Sequence, residues 1–443
     1  MAKRKHKTQR RTTARGDAFD WRAALFPLDA SPTTTPTPTW RWLPAWLLAA
    51  FALRAVVALG GDFVLHPDEI MQYLEPAHRA VFGSGVIYWE YQYGARSWLV
   101  PGLVAAVLWS LDALGLGQPW IYVYAVKLVF CLISLLVPWG CYQFARRTLS
   151  ERGARMALAL TCLWPYLVVF AHKPFAEFVA TSLLFGALGL ASLPWSRKPS
   201  GALAVGACLA LLAAVRMQYL PTAFLIWLAR SAVAERKWIA VSIAGGVGVL
   251  LLVGLLETFT WGVPFQSYYA NLVANIAADA HRDAPAFHFY LSRLLFATAG
   301  GLLIALYAFI RQPRRHLLLL ALVAVTLALH MHQTHQELRF VFAVLPMLLI
   351  VVGEQLSSWS SSWSQRSPRW SVALNIKTVS ACAGAFLALI ASNAIDDRWL
   401  HVAASHERGE VRYWFGQSNL FDVYLQLARR DDVAGVVHLG DPY

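Results

Sequence analysis

Apolar runs long enough to cross a membrane recur along this chain from Trp46 to Ser392. A helix that spans a bilayer needs about 20 consecutive, mostly apolar residues. The composition agrees, because 58% of the 443 residues are hydrophobic and only 14% are charged. Average soluble domains contain about 25% charged residues. The sequence therefore excludes a soluble globular protein and predicts an all-α polytopic membrane protein.

The hydropathy pattern predicts about eleven transmembrane helices. Their approximate positions are 44–60, 119–143, 156–171, 178–194, 202–215, 219–229, 238–256, 289–310, 316–331, 340–354 and 378–393. If the N-terminus is cytosolic, every Lys and Arg cluster between these spans lies on the cytosolic side, as the positive-inside rule requires. The predicted organisation is a basic cytosolic tail (1–43), a transmembrane domain (44–393) with a first extracytosolic loop (61–118), and an extracytosolic C-terminal tail (394–443).

Two segments depart from regular spans. The runs 202–215 and 219–229 are short, so we expect broken or tilted helices around Arg216 and Pro221, packed inside the protein. The run Trp98–Leu116 is apolar enough to cross, but a crossing would place the next basic connection outside. We therefore expect it to lie along the outer leaflet or dip into it.

The net charge of +13 does not indicate nucleic-acid binding. The Lys and Arg residues form short clusters between apolar runs rather than one basic face, as orientation signals do. The basic N-terminal tail is compatible with weak binding to anionic lipid. The five cysteines lie in or beside apolar runs without CxxC spacing, so neither a disulfide framework nor a zinc site is predicted.

The first outer loop contains two acids suited to catalysis. Asp68 and Glu69 follow the first span within the sequence HPDE. A carboxylate at the membrane boundary can accept a proton from a sugar hydroxyl while its neighbour positions the acceptor. The alternative is that HPDE only begins a helix, with Pro67 in the first turn and both acids near the positive end of the helix dipole.

A second polar cluster lies at the outer end of a later span. It comprises His330, His332, His335, Glu337 and Arg339. Arg339 is best suited to hold a phosphate through paired, charge-assisted hydrogen bonds. Two alternatives stay open, because the His and Glu side chains are also good zinc ligands and the cluster also suits an interfacial polar belt. Arg216 is likewise a phosphate ligand or a helix-packing residue.

The run from His66 to Gly102 resembles the first luminal loop of the dolichyl-phosphate-mannose-dependent mannosyltransferases, most nearly the glycosylphosphatidylinositol mannosyltransferase III type. The shared motifs are an acidic pair, L-E-x-x-H, G-x-G, W-E and R-S-x-x-x-P, which correspond to Asp68 and Glu69, Leu74–His78, Gly83 and Gly85, Trp89 and Glu90, and Arg96–Pro101.

Two further segments bear on this resemblance. HQELRFVFAVLP, His335–Pro346, is similar to the family's H-K-E-x-R-F-x-x-x-x-L-P stretch, with Gln336 in place of the usual Lys. The loop Glu257–Asn271 is a weaker match. HKPFAEF, His172–Phe178, departs from the family's R-T-x-x-N-type sequence.

The resemblance implies a GT-C glycosyltransferase that moves mannose, with inversion, from a polyprenyl-phosphate-mannose donor to a lipid-linked glycan. It implies Asp68 as catalytic base and Glu69 as acceptor-positioning residue. Arg339, His335 and Arg216 are implied to bind the donor phosphate. The implied acceptor- or loop-positioning residues are Glu75, His78, Trp89, Glu90 and Glu337. Because phosphate is a good leaving group, no metal or other cofactor is expected.

One alternative from another functional class is a polytopic transporter or flippase, since many helices with intramembrane Arg and His also suit a substrate pathway. Against it, the sequence has no evident internal repeat. The expected partners are the lipid-linked donor, the glycan acceptor and membrane lipids, without nucleic acid. The compact chain, rich in Ala, Leu and Trp, favours a bacterial plasma membrane over the endoplasmic reticulum.

Overall fold

A computed structural model of the chain describes residues 42–60, 68–279, 288–331, 333 and 335–366. All regular secondary structure in these residues is helical, as the sequence predicts. Both predicted tails lie outside the described residues, apart from Trp42 and Leu43, and so does the predicted span 378–393.

The first half of the chain forms the outer loop and the first membrane helices. Its α-helices are α1 (Leu43–Gly60), α2 (Glu75–Phe82), α3 (Trp89–Gln92), α4 (Leu99–Ala113), α5 (Pro119–Ser134), α6 (Leu136–Thr148), α7 (Glu151–Leu163), α8 (Pro165–Val169) and α9 (Ala176–Ser192). Prolines at the start of α5 and α8 suit the first helical turn, which needs no N–H donor there. Ser150 caps α7 by accepting a hydrogen bond from the Gly153 N–H at 3.0 Å.

The second half continues the bundle. Its α-helices are α10 (Pro199–Val215), α11 (Leu220–Ser231), α12 (Arg236–Trp261), α13 (Gln266–Asp279), α14 (Phe289–Ala297), α15 (Gly301–Arg311), α16 (Leu317–Met331) and α17 (Val344–Arg366). The helices pack in a continuous row in the order α12, α10, α9, α6, α7, α17 and α15. The first nine residues of α17 are all buried, which makes this helix a central element of the core.

Glycines allow the closest approaches in this row. A Cβ atom on Gly140 of α6 would overlap the backbone carbonyl of Phe185 in α9. Gly206 of α10 meets the backbone carbonyl of Ser242 in α12 in the same way. Small residues at such crossings let helix backbones pack tightly where the hydrophobic effect between helices is weak.

The predicted count of eleven spans is not confirmed. Among the residues that the structure describes, three helical stretches can cross a membrane by length and composition: α1, α5 with α6, and α12. The total is five if the bent pairs also count, namely α7 with the segment Pro165–His172, bent by 55°, and α14 with α15, bent by 107°. The predicted spans 156–171 and 289–310 are therefore bent rather than straight. Four further apolar helices are shorter: α4, α9, α10 and α16.

The segment Trp98–Leu116 contains the 15-residue helix α4. It packs against α2 and α5 and buries Val100, Val104 and Leu108. Trp109 on another face is exposed. Its expected position along the outer leaflet remains a prediction.

Besides the 3₁₀ turn Pro194–Arg197 before α10, four irregular turns interrupt the α-helices in the described residues. They are a π-helical turn at Glu69–Leu74 and 3₁₀ turns at Phe170–His172, Met217–Tyr219 and Leu338–Val341. The 3₁₀ turn between α10 and α11 lies where the sequence predicts a break around Arg216. Non-helical backbone at membrane depth is tolerated where protein buries it or where it lines a cavity. Each of these turns contains or adjoins a charged residue of the site described next.

Candidate active site

Arg339 is the centre of a buried ion-pair cluster. Its Nη2 donates to Oδ2 of Asp68 at 2.9 Å and to Oε1 of Glu337 at 3.0 Å. Its Nε lies 2.6 Å from Oε2 of Glu337. The side chains of Arg339 and Asp68 are only 10% and 17% exposed. The structure thus brings together the two predicted motifs, HPDE and HQELRF, although 271 residues separate Asp68 from Arg339.

Charge pairing controls the ionisation of this cluster. Burial alone would raise the pKa of Glu337, but the charge of Arg339 and hydrogen bonds from His335 and Arg339 outweigh it and lower the pKa to about 2. Burial also opposes the charge of Arg339, yet Glu337, Glu177 and Asp68 together raise its pKa above the ordinary value. Both groups are therefore charged throughout the physiological pH range.

His335 extends the cluster towards solvent. Its Nε2 lies 2.7 Å from Oε1 of Glu337, and half of its side chain is exposed. Its ring also contacts Phe340, with 5.4 Å between ring centroids. An imidazole at this position can donate a hydrogen bond to an anion that approaches Arg339.

Glu69 has a partner that the sequence reasoning missed. Nζ of Lys173 donates to Oε1 of Glu69 at 2.9 Å, and the Lys173 side chain is fully buried. Lys173 belongs to HKPFAEF, the segment that departs from the family pattern. A signal was available, because a lysine in a short connection between two apolar runs favours an anionic partner, although the sequence does not say which one.

Arg216 also has a partner from HKPFAEF. Its Nη1 lies 2.8 Å from Oε1 of Glu177, with side chains 12% and 4% exposed. Its guanidinium stacks over the Phe340 ring at 4.9 Å. Arg339 contacts the same ring at 5.5 Å. Arg216 therefore lies beside the Arg339 cluster, and its predicted phosphate role remains a prediction.

Aromatic rings form the floor of the site. The Arg339 guanidinium lies 5.0 Å from the ring of Phe175, which is fully buried. Phe175 packs edge to face on Tyr73 at 5.9 Å, and the Tyr73 hydroxyl accepts a hydrogen bond from the Ala176 N–H at 3.0 Å. These contacts fix the start of α9 against the π-helical turn. They position Lys173 and Glu177, on either side of Phe175.

The other predicted residues organise the first loop. Glu75 Oε1 accepts from the Val86 N–H at 2.6 Å, and His78 Nδ1 lies 3.0 Å from the Ser84 carbonyl oxygen. Glu90 accepts from Arg96 at 2.8 Å. Trp89 is 46% exposed. Glu75, His78 and Glu90 thus shape the loop by contacts within it, whereas Glu337 belongs to the Arg339 cluster.

The described part of the chain contains no set of ligands for the alternative prediction of a zinc site. No three His, Cys, Asp or Glu side chains there are placed to hold a metal ion. His330 is buried, and its Nδ1 bonds to the Thr326 carbonyl oxygen at 2.8 Å. His332 lies outside the described residues. The expectation that the reaction needs no metal remains a prediction.

The charges in this site are closely balanced. Four carboxylates, Asp68, Glu69, Glu177 and Glu337, meet three basic side chains, Lys173, Arg216 and Arg339. An anion that binds Arg339 must therefore compete with Asp68 or Glu337. A site of this kind couples anion binding to the release of a carboxylate, which can then accept a proton.

The fold is that of a known class of membrane glycosyltransferases. The crystal structure of ArnT from Cupriavidus metallidurans bound to undecaprenyl phosphate is similar, with a TM-score of 0.53 and 14% identity, over 82% of this chain and 72% of that chain. The same enzyme in the apo state gives a TM-score of 0.51 over 88% of this chain and 69% of that chain, at 15% identity. The chain is an integral membrane protein with the predicted GT-C fold.

The sequence places the chain within this class. The model of the Alg9-like mannosyltransferase family matches residues 45–401, and the chain belongs to this family. Three similar relatives are GPI mannosyltransferase 3 of Yarrowia lipolytica, Mannosyltransferase APTG1 of Arabidopsis thaliana and GPI mannosyltransferase 3 of Drosophila melanogaster, with 25%, 28% and 26% identity over 70%, 72% and 74% of this chain.

The chain spans 60–62% of the length of these three relatives. All three are eukaryotic proteins, so the expected preference for a bacterial plasma membrane is not supported. Membership in a mannosyltransferase family also does not favour the transporter alternative.

Proposed function

We propose that this protein transfers mannose, with inversion, from a polyprenyl-phosphate-mannose donor to a hydroxyl group of a lipid-linked glycan at the extracytosolic membrane face. The observation that carries this proposal is the 2.9 Å contact between Asp68 and Arg339. It joins a carboxylate suited to proton transfer and a cation suited to phosphate, within a chain of the Alg9-like mannosyltransferase family.

Asp68 acts as the general base in this proposal. The acceptor oxygen attacks the anomeric carbon of mannose, and its proton passes to a carboxylate oxygen of Asp68. The bond between the anomeric carbon and the phosphate oxygen breaks, and polyprenyl phosphate leaves with the bonding electron pair. Attack opposite the leaving group accounts for the inversion.

Arg339 and His335 receive the phosphate. The negative charge of the leaving group grows as the bond breaks, so a fixed guanidinium stabilises the transition state more than the ground state. Phe175 and Phe340 hold Arg339 in place through ring contacts at 5.0 and 5.5 Å. As the phosphate engages Arg339, Asp68 is released from its ion pair and becomes available to the acceptor.

Glu69 positions the acceptor. Its contact with the buried Lys173 at 2.9 Å holds the carboxylate beside Asp68. A fixed carboxylate can accept a hydrogen bond from a second hydroxyl of the acceptor sugar and so orient the reacting hydroxyl.

The test is transfer of radiolabel from polyprenyl-phosphate-mannose to a lipid-linked mannoside by the purified full-length protein. We expect labelled glycolipid of inverted configuration. Asp68→Asn should reduce turnover about 10²- to 10⁴-fold, the usual contribution of a general base. Asp112→Asn is the matched control, because it makes the same change in α4, outside the Arg339 cluster. Absence of transfer by the wild-type protein, or near-normal turnover by Asp68→Asn, would contradict the proposal.

A further inference from the structure

Three of the buried polar atoms that have no hydrogen-bond partner within the described residues lie around the ion pair of Arg216 and Glu177. They are Oε2 of Glu177, Nε of Arg216 and Nε2 of His330. Glu177 and His330 are 3% and 0% exposed, and the Arg216 side chain is 12% exposed. Buried polar atoms are almost always hydrogen-bonded, so a cluster of unpartnered ones requires an explanation.

These atoms belong to one place in the fold. Arg216 and Glu177 are 2.8 Å apart, and the Arg216 guanidinium lies over the Phe340 ring. Tyr219 donates its hydroxyl hydrogen to the Phe340 carbonyl oxygen at 3.0 Å, and its ring centroid lies 5.9 Å from that of His330. The charges of Arg216 and Glu177 both act on the His330 imidazole.

The hydrogen-bonding character of each atom follows from its neighbours. Nδ1 of His330 faces the Thr326 carbonyl oxygen at 2.8 Å. A carbonyl oxygen only accepts, so Nδ1 carries the hydrogen, and in the neutral ring Nε2 is an acceptor. Oε2 of Glu177 is a second acceptor, and Nε of Arg216 is a donor. The cluster therefore offers two acceptors and one donor.

We propose that Glu177, Arg216 and His330 form a subsite that binds the hydroxyl groups of a sugar. A hydroxyl both donates and accepts, so neighbouring hydroxyls of one sugar can satisfy all three atoms. A phosphate has oxygens that mainly accept, so it would face the two acceptors without a hydrogen to share. The charge of Arg216 is already balanced by Glu177 at 2.8 Å, which also favours a neutral ligand.

The position of the subsite fits a substrate of the proposed reaction, and this inference rests on that proposed function. Arg216 and Arg339 contact the same Phe340 ring, at 4.9 and 5.5 Å. A sugar bound at Glu177 would thus lie beside a phosphate bound at Arg339, as in a sugar phosphate ester. The sugar could belong to the donor or to the acceptor glycan, and both arms of the experiment below are needed to tell them apart.

The experiment measures how much a sugar adds to lipid binding, without requiring catalysis. In the first arm, tritiated short-chain polyprenyl phosphate is compared with its mannose ester. In the second, a synthetic lipid-linked dimannoside is compared with the same lipid lacking sugar. Each ratio of Kd values is determined for the purified full-length wild-type protein and for His330→Phe and Glu177→Gln. His330→Phe keeps a ring against Tyr219 and removes the acceptor.

The matched control is His316→Phe. His316 is also buried but directly precedes α16, whereas His330 is near the end of that helix. We expect the sugar to strengthen wild-type binding about tenfold or more in one arm, as hydrogen bonds to charged groups do. That factor should fall at least threefold in His330→Phe and Glu177→Gln and stay unchanged in His316→Phe.

Each other outcome is informative. The proposal is wrong if the sugar contributes nothing to wild-type binding in either arm, or if its contribution is the same in all variants. It is also wrong if His330→Phe and Glu177→Gln weaken the binding of polyprenyl phosphate as much as the binding of its mannose ester. The two side chains would then contribute to phosphate binding rather than to sugar binding. His330→Phe alone decides the matter if Glu177→Gln does not fold. Sugar binding without transfer would support the subsite and contradict the proposed reaction.

Discussion

Two buried glutamates each pair with one arginine, and their surroundings differ. Glu354 of α17 pairs with Arg315, and its Oε2 also accepts from the Ser150 N–H and hydroxyl at 3.1 and 2.7 Å. Glu177 of α9 pairs with Arg216, but its Oε2 has no hydrogen-bond partner within the described residues. The Glu354 carboxylate is thus bonded to protein through both of its oxygens. A carboxylate that awaits a ligand retains bonding capacity.

The same contrast holds for whole clusters. At Glu354, one carboxylate joins α7, α17 and the connection between α15 and α16. At Arg339, irregular turns bring several acids and bases together in near balance. We therefore expect changes around Glu354 to affect stability without altering turnover, and changes around Arg339 to affect mainly turnover.

The largest expected effect is a crossover between Asp68→Asn and Glu354→Gln. Asp68→Asn should lower kcat about 10²- to 10⁴-fold with little change in the thermal unfolding midpoint. Glu354→Gln should destabilise the protein by about 1–3 kcal/mol, because a buried ionic partner is lost, and leave kcat per folded molecule unchanged. Turnover and unfolding of both variants are measured in the same detergent. If either variant lost both kcat and thermal stability, the distinction between the Glu354 and Arg339 clusters would not hold.

Arg339→Lys should have a smaller effect on turnover, about tenfold in kcat/KM for the donor. An ammonium keeps the charge but loses the planar fork that contacts Asp68 and Glu337 and stacks on Phe175. Arg315→Lys makes the same change beside Glu354 and should leave donor kinetics unchanged. Equal donor kinetics in wild type, Arg339→Lys and Arg339→Ala would show that Arg339 does not bind the phosphate.

How far the site could be predicted depends on where its residues lie in the sequence. Asp68, Glu337 and Arg339 belong to motifs whose residue types and order resemble a family, so their roles could be expected without a structure. Lys173 and Glu177 lie in a segment that departs from the family pattern. Their importance depends on contacts with Glu69 and Arg216, which no local pattern specifies.

The fold shows the same division. The all-helical class and the positions of most helices followed from hydropathy, because apolar runs of this length typically form membrane-spanning helices. The bends did not, although Pro165 inside the run 156–171 was a recognisable helix breaker. The 107° bend between α14 and α15 occurs where Ala299 and Gly300 adopt positive φ angles of 49° and 82°. Alanine carries no sequence signal for that conformation but Gly300 does, so the sequence held only part of the signal for the second bend.

A modest effect is expected on the pH dependence of stability. The pKa of Glu337 is lowered from 4.5 to about 2 in the folded protein, although burial opposes this, because Arg339 and His335 favour the carboxylate. Its stabilising contribution is therefore complete above about pH 5 and lost as the pH falls through about 2. The unfolding midpoint of Glu337→Gln should approach that of wild type as the pH is lowered from 6 to 3. A difference that stays constant over this range would show that the ion pair does not contribute.

The smallest expected effect is that of chelation. Phosphate departure needs positive charge, and in the proposed reaction Arg339 supplies it while His335 donates a hydrogen bond. The four carboxylates around it are already paired with Lys173, Arg216 and Arg339, so a divalent cation would have to displace those side chains. EDTA should thus leave the rate of mannose transfer unchanged, both in the wild-type protein and in Arg339→Lys. If EDTA abolished transfer and zinc, manganese or magnesium restored it, the carboxylates around Arg339 would bind a metal ion. The Arg339 cluster would then differ from the surroundings of Glu354 because it is a metal site, not because its carboxylates pair with basic side chains.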